Sequence, residues 1–474
     1  MNCIKSIITG TMLGICLFVS CDEGDKIDWN GVEVANAELK TVLQQKGFTF
    51  NDEGRLIQDD KVKSAVTLDL SGCNLTDVSG LDVFPGLIEI NLANNAFGFA
   101  FDFSVLPATV VAVDLTGNED LYEYSGLVSV VTEENGDETV TTLRALTKLH
   151  LPESARHNCD EIVYFYTNNP AADIKIQNAQ GALTTYNTLR EVPDAKVRAY
   201  LQTNFPSMFD ETNPDMINIA NRILNTLEAA RSISLSNSTN ENNPEGVQYI
   251  VMNPSFKGSQ ISINPSAACE WKYLRVKPSI SIFIIYKIST TYINWTEAEN
   301  LCYVLINGNN TIEEIDFSAS RLFGQRGDVE WNILPFTTMS IGKCPKLKTI
   351  VWPRAAKYAY SVALFSLPLL EEADFSNFSG IGYLLISDLP GLKKIAYYTP
   401  DGYYISKTEK DPVSGENIKK QILFFAISAD IYAHPETKAF LDTYHDNCRN
   451  TTFKGLLGDL NYEVAPYDWT QHYQ

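Results

Sequence analysis

Residues 64–118 read SAVTLDLSGCNLTDVSGLDVFPGLIEINLANNAFGFAFDFSVLPATVVAVDLTGN and repeat one short pattern three times. Each copy has apolar residues at i, i+3 and i+5, followed by Cys or Asn at i+8. The copies begin at Ala65, Leu87 and Val110, so they follow one another at a nearly constant interval. A period of about 20–29 residues is typical of proteins that stack short units, because one unit cannot bury its apolar side chains alone. The stretch therefore predicts a repeat fold with one short strand in each copy.

Alternation within each copy predicts a strand with one buried face. In TLDLS at 67–71 the two leucines point to one side and Asp69 points to the other. The matching positions of the next two copies hold Asn91 and Asp114, and a further copy beginning at Leu146 places His150 there. Stacked strands bring these side chains into one row, which we predict to be an exposed ligand-binding face. For His150 a solvated surface residue without a binding role is the alternative.

The turn that follows each strand has its own signature. Asn95 and Asn118 stand where the chain leaves the strand, and Cys73 occupies the same position of the first copy. We expect the two asparagines to satisfy backbone groups of the turns with their side chains, and Cys73 to act as a small, weakly hydrogen-bonding substitute.

The pattern resembles the leucine-rich repeat. Two segments of the second half, CPKLKTI at 344–350 and LPGLKKI at 389–395, are similar to the repeat of secreted leucine-rich-repeat proteins of Bacteroidota and treponemes. The resemblance covers most of the chain and implies an α+β repeat solenoid, with short parallel strands, helical caps and inserted β-hairpins. The role that it implies is adhesion or recognition, and a fold-level resemblance names no ligand.

Two units organise the chain in this interpretation. Residues 35–185 are predicted to form an N-terminal helical cap followed by leucine-rich repeats, and residues 186–474 a second helical cap, further repeats and a C-terminal cap. A cap is needed because a terminal repeat otherwise exposes its core to water. The cap helices are expected to begin near Asn36 and Asp194, and the last helix to span 435–444. A single solenoid with a helical insertion is the alternative.

Further strands follow from the same reasoning. The second half repeats the apolar pattern at Ile312, Leu347, Leu370 and Leu392, and we expect a repeat strand at each of them. Hairpins are predicted at 127–143 and 403–425. Apolar or β-branched runs predict additional strands at 162–166, 249–252, 261–263 and 280–288.

Residues 1–21 have the pattern of an export signal. Lys5 precedes an apolar run from Ile7 to Val19, which is too short to span a bilayer. The segment FVSC at 18–21 resembles the bacterial lipoprotein signal, in which Cys21 becomes the lipidated N-terminus. Secretion with cleavage elsewhere is the alternative.

The residues after Cys21 indicate a destination. Asp22 and Glu23 resemble the acidic signal with which Bacteroidota lipoproteins reach the outer face of the outer membrane. The resemblance implies a surface-exposed, lipid-anchored protein with residues 22–34 as a tether, and contact with the membrane through this anchor only. A periplasmic-facing lipoprotein is the alternative.

Composition excludes some partners and cofactors. The net charge of −21 repels phosphate backbones, and no basic stripe interrupts it, so nucleic acid is not an expected partner. Six cysteines follow Cys21 without any Cys-x-x-Cys pair, and the five histidines have no metal-ligand spacing. We predict neither a metal site nor a cofactor.

Two functional hypotheses remain. The first is a non-enzymatic module that binds an extracellular protein or polysaccharide, and the second is a surface hydrolase of glycan or peptide that uses some of the 58 acidic residues. The chain has no G-x-S-x-G, H-E-x-x-H or phosphate-binding glycine loop, which favours the first. Tyr403 and Tyr404 at the base of the second predicted hairpin are an additional candidate ligand-binding surface, and packing of the hairpin onto the repeats is the alternative role.

Overall fold

The structure is a computed structural model, and it describes residues 28–133, 138–223, 225–235, 243–321, 338–353, 358–378, 380–399, 404–410, 413–420, 424–427 and 429–444. The predicted signal segment with Cys21 lies outside the described residues, and so do residues 22–27 of the predicted tether and Tyr403. The rest of the predicted tether is described, and Asp28–Val32 forms a strand.

Short α-helices occur near the ends of the described chain and at the junction of its two halves. They are α1 (Ala37–Gln45), α2 (Asp60–Lys63), α3 (Glu161–Asn168), α4 (Ala195–Asn204), α5 (Thr226–Ala229), α6 (Val247–Val251), α7 (Ala429–Tyr432) and α8 (Pro435–Tyr444). Asn36 Oδ1 accepts a hydrogen bond from Leu39 N–H at 3.0 Å and caps α1, and Asp194 caps α4 in the same way. The predicted helices at these two positions and at 435–444 are confirmed.

The strands of the first half are short. They are β1 (Asp28–Val32), β2 (Leu56–Gln58), β3 (Thr67–Asp69), β4 (Glu89–Asn91), β5 (Ala100–Asp102), β6 (Ala112–Asp114), β7 (Glu123–Ser125), β8 (Val128–Thr132), β9 (Glu138–Thr142), β10 (Lys148–Leu151), β11 (Asp173–Gln177) and β12 (Leu183–Thr185).

Several strands of the second half are longer. The strands are β13 (Leu189–Glu191), β14 (Met216–Asn218), β15 (Ile233–Leu235), β16 (Gln260–Ile263), β17 (Cys269–Arg275), β18 (Ile282–Tyr286), β19 (Ile288–Asn294), β20 (Tyr303–Asn307), β21 (Glu314–Asp316), β22 (Thr338–Gly342), β23 (Thr349–Val351), β24 (Tyr358–Phe365), β25 (Glu372–Asp374), β26 (Gly380–Ser387), β27 (Lys394–Ala396), β28 (Tyr404–Lys410), β29 (Asn417–Lys420) and β30 (Phe424–Ile427).

Two sheets organise these strands into an α+β fold in which most pairs are parallel. The first sheet has the order β12-β11-β10-β6-β4-β3, and its strands are parallel except for β12. The second sheet has the order β15-β16-β18-β20-β22-β24-β26-β30 and is parallel throughout. Many short parallel strands in chain order are consistent with a repeat-like fold.

The predicted buried face of the first sheet is confirmed. Leu68, Ile90, Val113 and Leu149 are register partners on adjacent strands, and each is at most 5% exposed. The second sheet has the same kind of column, in which Phe283, Val304, Met339 and Val362 follow one another and are fully buried.

One backbone feature marks the same point of successive turns in both halves. In several repeats of each half, a residue with positive φ follows the strand that belongs to the first or the second sheet. These residues are Gly72, Asn94 and Gly117 in the first half, and Lys287, Gly308, Lys343, Ser366 and Asp388 in the second half. This left-handed residue turns the chain sharply. It recurs at nearly the interval of the sequence repeat, with one longer step between Gly308 and Lys343. We call it the turn residue, and it aligns the two sheets position by position.

The turn residue corrects the predicted strands of the second half. The apolar patterns at Ile312, Leu347, Leu370 and Leu392 do lead into strands, but these are β21, β23, β25 and β27, which lie outside the second sheet. They form the pairs β21-β23 and β25-β27, as β17 pairs with β19. We call β17, β19, β21, β23, β25 and β27 outer strands, and each of the last five follows a turn residue rather than preceding it.

Other predicted elements have mixed outcomes. The strands predicted at 162–166 and 249–252 are wrong, because these residues lie in or beside the helices α3 and α6. The predicted hairpin at 127–143 is confirmed by the antiparallel pair β8-β9. The predicted hairpin at 403–425 is too long: β28 pairs with β29, whereas β30 joins the second sheet beside β26.

The two halves share part of one core. A buried cluster of the first half extends from Val34 to Tyr186. The cluster of the second half includes Tyr122, Cys159 and Val163 from the first half. The junction is therefore packed with apolar and aromatic side chains.

Candidate functional site

The structure brings the predicted row of polar residues together. Asp69 is the register partner of Asn91, Asn91 of Asp114, and Asp114 of His150. The next strand adds Lys175 beside His150, which sequence reasoning did not assign to the row. Adjacent strands lie about 4.8 Å apart, so a ligand that crosses the strands can contact several of these side chains at once. We call Asp69, Asn91, Asp114 and His150 the outward row.

Three members of the outward row also form turns. Asp69 Oδ1 accepts hydrogen bonds from Ser71 N–H at 3.0 Å and from Ser71 Oγ–H at 2.7 Å. Asn91 and Asp114 accept from the backbone N–H two residues later at 3.0 and 2.9 Å. The hydrogen bonds from Ser71 lower the pKa of Asp69 below its ordinary value of 3.8. These oxygens are therefore structural. The second oxygen of Asp69 remains for a ligand, whereas Asp114 Oδ2 lies 3.5 Å from His150 Nδ1.

His150 is less accessible than a residue of an exposed face. The alternative role of a solvated surface residue is wrong, because the side chain lies between neighbouring strands and the residue is only 9% exposed. Its Nδ1 lies 3.5 Å from Asp114 Oδ2, and its Nε2 makes no hydrogen bond within the described residues. Asp69 is exposed on the edge strand β3, so exposure falls along the row.

The face around the outward row carries both signs of charge. Lys148 Nζ lies 2.6 Å from Glu89 Oε1, and Lys175 Nζ lies 3.3 Å from Asp173 Oδ2. Basic side chains therefore share this face with the acidic ones. A polar ligand with both donors and acceptors matches it better than a simple cation.

Asparagine side chains stabilise the turns beneath this face, as predicted. Asn95 Oδ1 accepts from the backbone N–H groups of Cys73 and Leu75 at 3.1 and 3.0 Å. Asn118 Oδ1 accepts from Asn95 N–H at 2.9 Å. Because each amide links its own turn to the preceding one, the strand ends are held in register.

The second predicted surface is not supported by further contacts. Tyr403 lies outside the described residues, and Tyr404 is described only as the first residue of β28. Tyr397, at the base of the predicted hairpin, stacks on Phe440 of α8 with ring centroids 4.4 Å apart. Its hydroxyl and the Thr437 hydroxyl are 2.9 Å apart. This tyrosine therefore packs the C-terminal helix.

A groove that sequence reasoning missed lies at the junction of the two halves. It has a volume of about 830 Å³ and is lined by β19, β21 and residues of the first half, Phe99 and Asp120. Phe99 stacks on Tyr292 with ring centroids 3.9 Å apart. The acidic cluster at 313–316 was a visible signal, but only the structure places it opposite β19.

A second cavity contains a carboxyl group with a shifted pKa. Glu245 lines a cavity of about 520 Å³ together with Glu191 and Glu270. Burial raises the pKa of Glu245, while hydrogen bonds from Gln248 and Tyr249 oppose the shift. Tyr249 Oη donates to Glu245 Oε1 at 3.1 Å, so this carboxyl group already has a structural role.

Metal-ligand clusters, membrane-spanning helices and similar proteins add few constraints on the function. Among the described residues, no group of three or more His, Cys, Asp or Glu side chains is arranged to hold a metal ion. Within the same part of the chain, no helix has the length and apolar character needed to cross a membrane. No family model, curated protein or solved structure matches this chain.

Proposed function

We propose that this chain is an exported, lipid-anchored leucine-rich-repeat solenoid that binds an extracellular protein or polysaccharide and catalyses no reaction. The sequence signals at 1–23 support export and lipidation at Cys21, and the repeat pattern supports the solenoid. The recurring turn residue and the parallel strands in chain order agree with a stacked repeat. On this proposal the chain stands on the outer face of the outer membrane.

The outward row carries the proposal. Its polar side chains come from adjacent strands, and the turn hydrogen bonds hold them in fixed orientations. A face whose side chains are already ordered loses little conformational freedom when a ligand binds, which favours affinity. Repeat proteins use extended faces built from adjacent repeats to bind their ligands.

The test uses the chain from Asp22 onward on arrays of glycans and extracellular-matrix proteins. The double variant Asp69→Asn, Asp114→Asn removes two charges and keeps the Oδ1 acceptors of both turns. We expect it to bind the ligand that the arrays identify at least tenfold more weakly, which corresponds to about 1.4 kcal/mol. Its melting temperature should stay close to that of the parent, because the turn bonds persist.

The matched control is Asp102→Asn. Asp102 Oδ1 accepts from Ser104 N–H at 2.8 Å, so it forms the same turn, but it lies on β5 outside the first sheet. This variant should bind like the parent. Parent-like affinity of the double variant would exclude the outward row as the binding site.

A hydrolase is the second candidate, and one observation favours it. Glu245 lines a cavity with two other acidic residues, and burial raises its pKa, as general acids require. It ranks behind recognition because Tyr249 already donates to this carboxyl group.

A further inference from the structure

The outer strands of the second half do not form a continuous ladder. The second sheet pairs β18, β20, β22, β24 and β26 one after another. The outer strands of the same repeats pair two by two, as β17-β19, β21-β23 and β25-β27. Within the described residues, no strand pairing joins β19 to β21 or β23 to β25. The ladder is therefore interrupted at every second step.

Each interruption coincides with a cavity. The groove of about 830 Å³ at the junction lies between β19 and β21. A groove of about 780 Å³ lies between β23 and β25. Both volumes are in the range of about 300–1,000 Å³ that is usual for ligand sites. We call them the first gap and the second gap.

Backbone groups of both strands face the first gap. Glu313 C=O and Phe317 N–H bond to β23 and its flanks, and successive residues of a strand present their backbone groups to alternate edges. Glu314 and Asp316 therefore present their N–H and C=O groups to the gap. On the other side, Asn294 C=O accepts from Val276 N–H, so Ile293 presents its backbone groups to the gap.

The first gap also carries unbalanced negative charge. Its lining includes Asp120, Glu313, Glu314 and Asp316, with Lys346 as the one cation among the described residues that form it. Glu313 is neutralised by Lys348, whose Nζ lies 2.7 Å from Glu313 Oε2, so Asp120, Glu314 and Asp316 carry the excess negative charge.

The second gap is better neutralised. Lys393 Nζ lies 2.7 Å from Glu371 Oε1, and Lys394 forms an ion pair with Glu372. These lysines belong to the paired strand β27 and its flank, so they compensate acidic side chains that line the second gap. The two gaps thus share a backbone arrangement and differ in charge.

We propose that the first gap binds an extended, basic peptide segment of a partner protein, which lies between β19 and β21 as an added strand. The open edges supply main-chain hydrogen bonds, as in other cases of strand addition. The acidic lining selects lysine or arginine side chains. This inference rests on the proposed recognition function and names a partner class for it, and it uses a site separate from the outward row.

The test measures binding of a labelled peptide to the protein by fluorescence anisotropy. The peptide has about eight residues, which is within the usual length of a strand, and alternates Lys and Val. The protein is the chain from Asp22 to Gln474. Glu314→Gln, Asp316→Asn removes charge from the first gap and keeps the hydrogen bond that Asp316 Oδ1 accepts from Ser318 N–H at 2.7 Å. We expect at least a tenfold loss of affinity for this double variant.

Glu372→Gln, Asp374→Asn is the matched control, because it makes the same change at the same two positions of β25. It should bind the peptide within twofold of the parent. A second peptide carries methyl groups on the backbone nitrogens along one edge of the peptide strand. It should bind the parent at least tenfold more weakly than the unmethylated peptide, because strand addition needs those N–H donors.

Three results would overturn the proposal. They are no binding of the basic peptide to the parent, equal losses in the two double variants, and unchanged binding of the methylated peptide. The last two indicate general attraction to a chain of net charge −21. The proposed function is tested separately, by array binding of the outward-row variant. Failure of the peptide experiment can therefore be distinguished from failure of the proposed function.

Discussion

In the first sheet, the position three residues before the turn residue is occupied by Asp69, Asn91 and Asp114. In the second sheet, the corresponding residues are Ile284, Leu305, Ser340, Ala363 and Leu385. Both sets point away from the buried column of their sheet, because each lies between two inward residues. The same repeat position therefore carries polar and mostly charged side chains in one half and uncharged, mostly apolar side chains in the other.

The length of the strand depends on which residue type occupies the position three residues before the turn residue. The first-sheet strands that hold Asp69, Asn91 and Asp114 span three residues each, whereas the second-sheet strands from β18 to β26 span five to eight. An Asp or Asn side chain that binds the N–H two residues later competes with the ladder for that donor. An apolar residue cannot do so, and the strand continues.

Solvent exposure differs as well. Asp69 is exposed and Asn91 is half-buried, but Leu305 is only 6% exposed. Parallel sheets are usually covered on both faces, and their strands then consist of nearly continuous apolar residues. The second sheet follows this rule, whereas the first sheet keeps a polar, partly solvated face. The two halves share a repeat but use its outward side differently.

The largest expected effect on stability comes from placing a carboxylate three residues before the turn residue in each sheet. Leu305→Asp buries a charge without a partner, which should reduce the free energy of unfolding by about 3–5 kcal/mol. Asn91→Asp places the same group on the polar face, where its oxygen can still accept from Ala93 N–H. This change should cost less than about 1 kcal/mol.

Urea denaturation of both variants measures the difference. Leu305→Asn is the control, because it separates the cost of charge from the cost of lost apolar packing, and it should fall between the two. Equal destabilisation by Leu305→Asp and Asn91→Asp would show that the outward sides of the two sheets do not differ.

Inward positions should behave alike and so sharpen the comparison. Leu92 and Ile306 both lie two residues before a turn residue, and both are fully buried. Truncation of either to Ala should cost about 2–5 kcal/mol, the sum of lost transfer free energy and a cavity. Thermal and urea unfolding of Leu92→Ala and Ile306→Ala provide the measurement. A cost below about 1 kcal/mol in one sheet would mean that the alignment by turn residues is wrong there.

Sequence reasoning predicted the first sheet better than the second for a physical reason. The segment TLDLS alternates, because only one face of β3 is buried. In the second sheet the strand IFIIY is apolar on both faces and shows no alternation. The outer strands, such as Glu314-Ile315-Asp316, do alternate, so the pattern pointed to them instead. The repeat period was thus visible in both halves, while the sheet to which each strand belongs was not.

Of the candidate sites, the outward row could be predicted from the sequence and the first gap could not. The outward row follows from register alone, and the structure places all four residues side by side. Burial of His150 was not predicted, because it depends on β11, a strand that the sequence analysis did not assign although its DIKIQ alternates. The first gap depends on which outer strands pair, and no local pattern encodes that choice.

The smallest expected effect concerns the turn bonds that shorten the first-sheet strands. Asp69→Ala removes the acceptor of Ser71 N–H and should cost about 1 kcal/mol at neutral pH. Asp69→Asn keeps the acceptor and should cost less. Because the hydrogen bonds from Ser71 lower the pKa of Asp69, its charged form is favoured in the folded state. The extra stability of the parent over Asp69→Asn is therefore fully present above the ordinary pKa of 3.8 and lost as the pH falls through the lower pKa of the folded state. Urea denaturation of the three proteins between neutral pH and pH values below 3.8 tests this. A parent that keeps its full advantage over Asp69→Asn in acid would show that the carboxylate does not stabilise the turn through its charge.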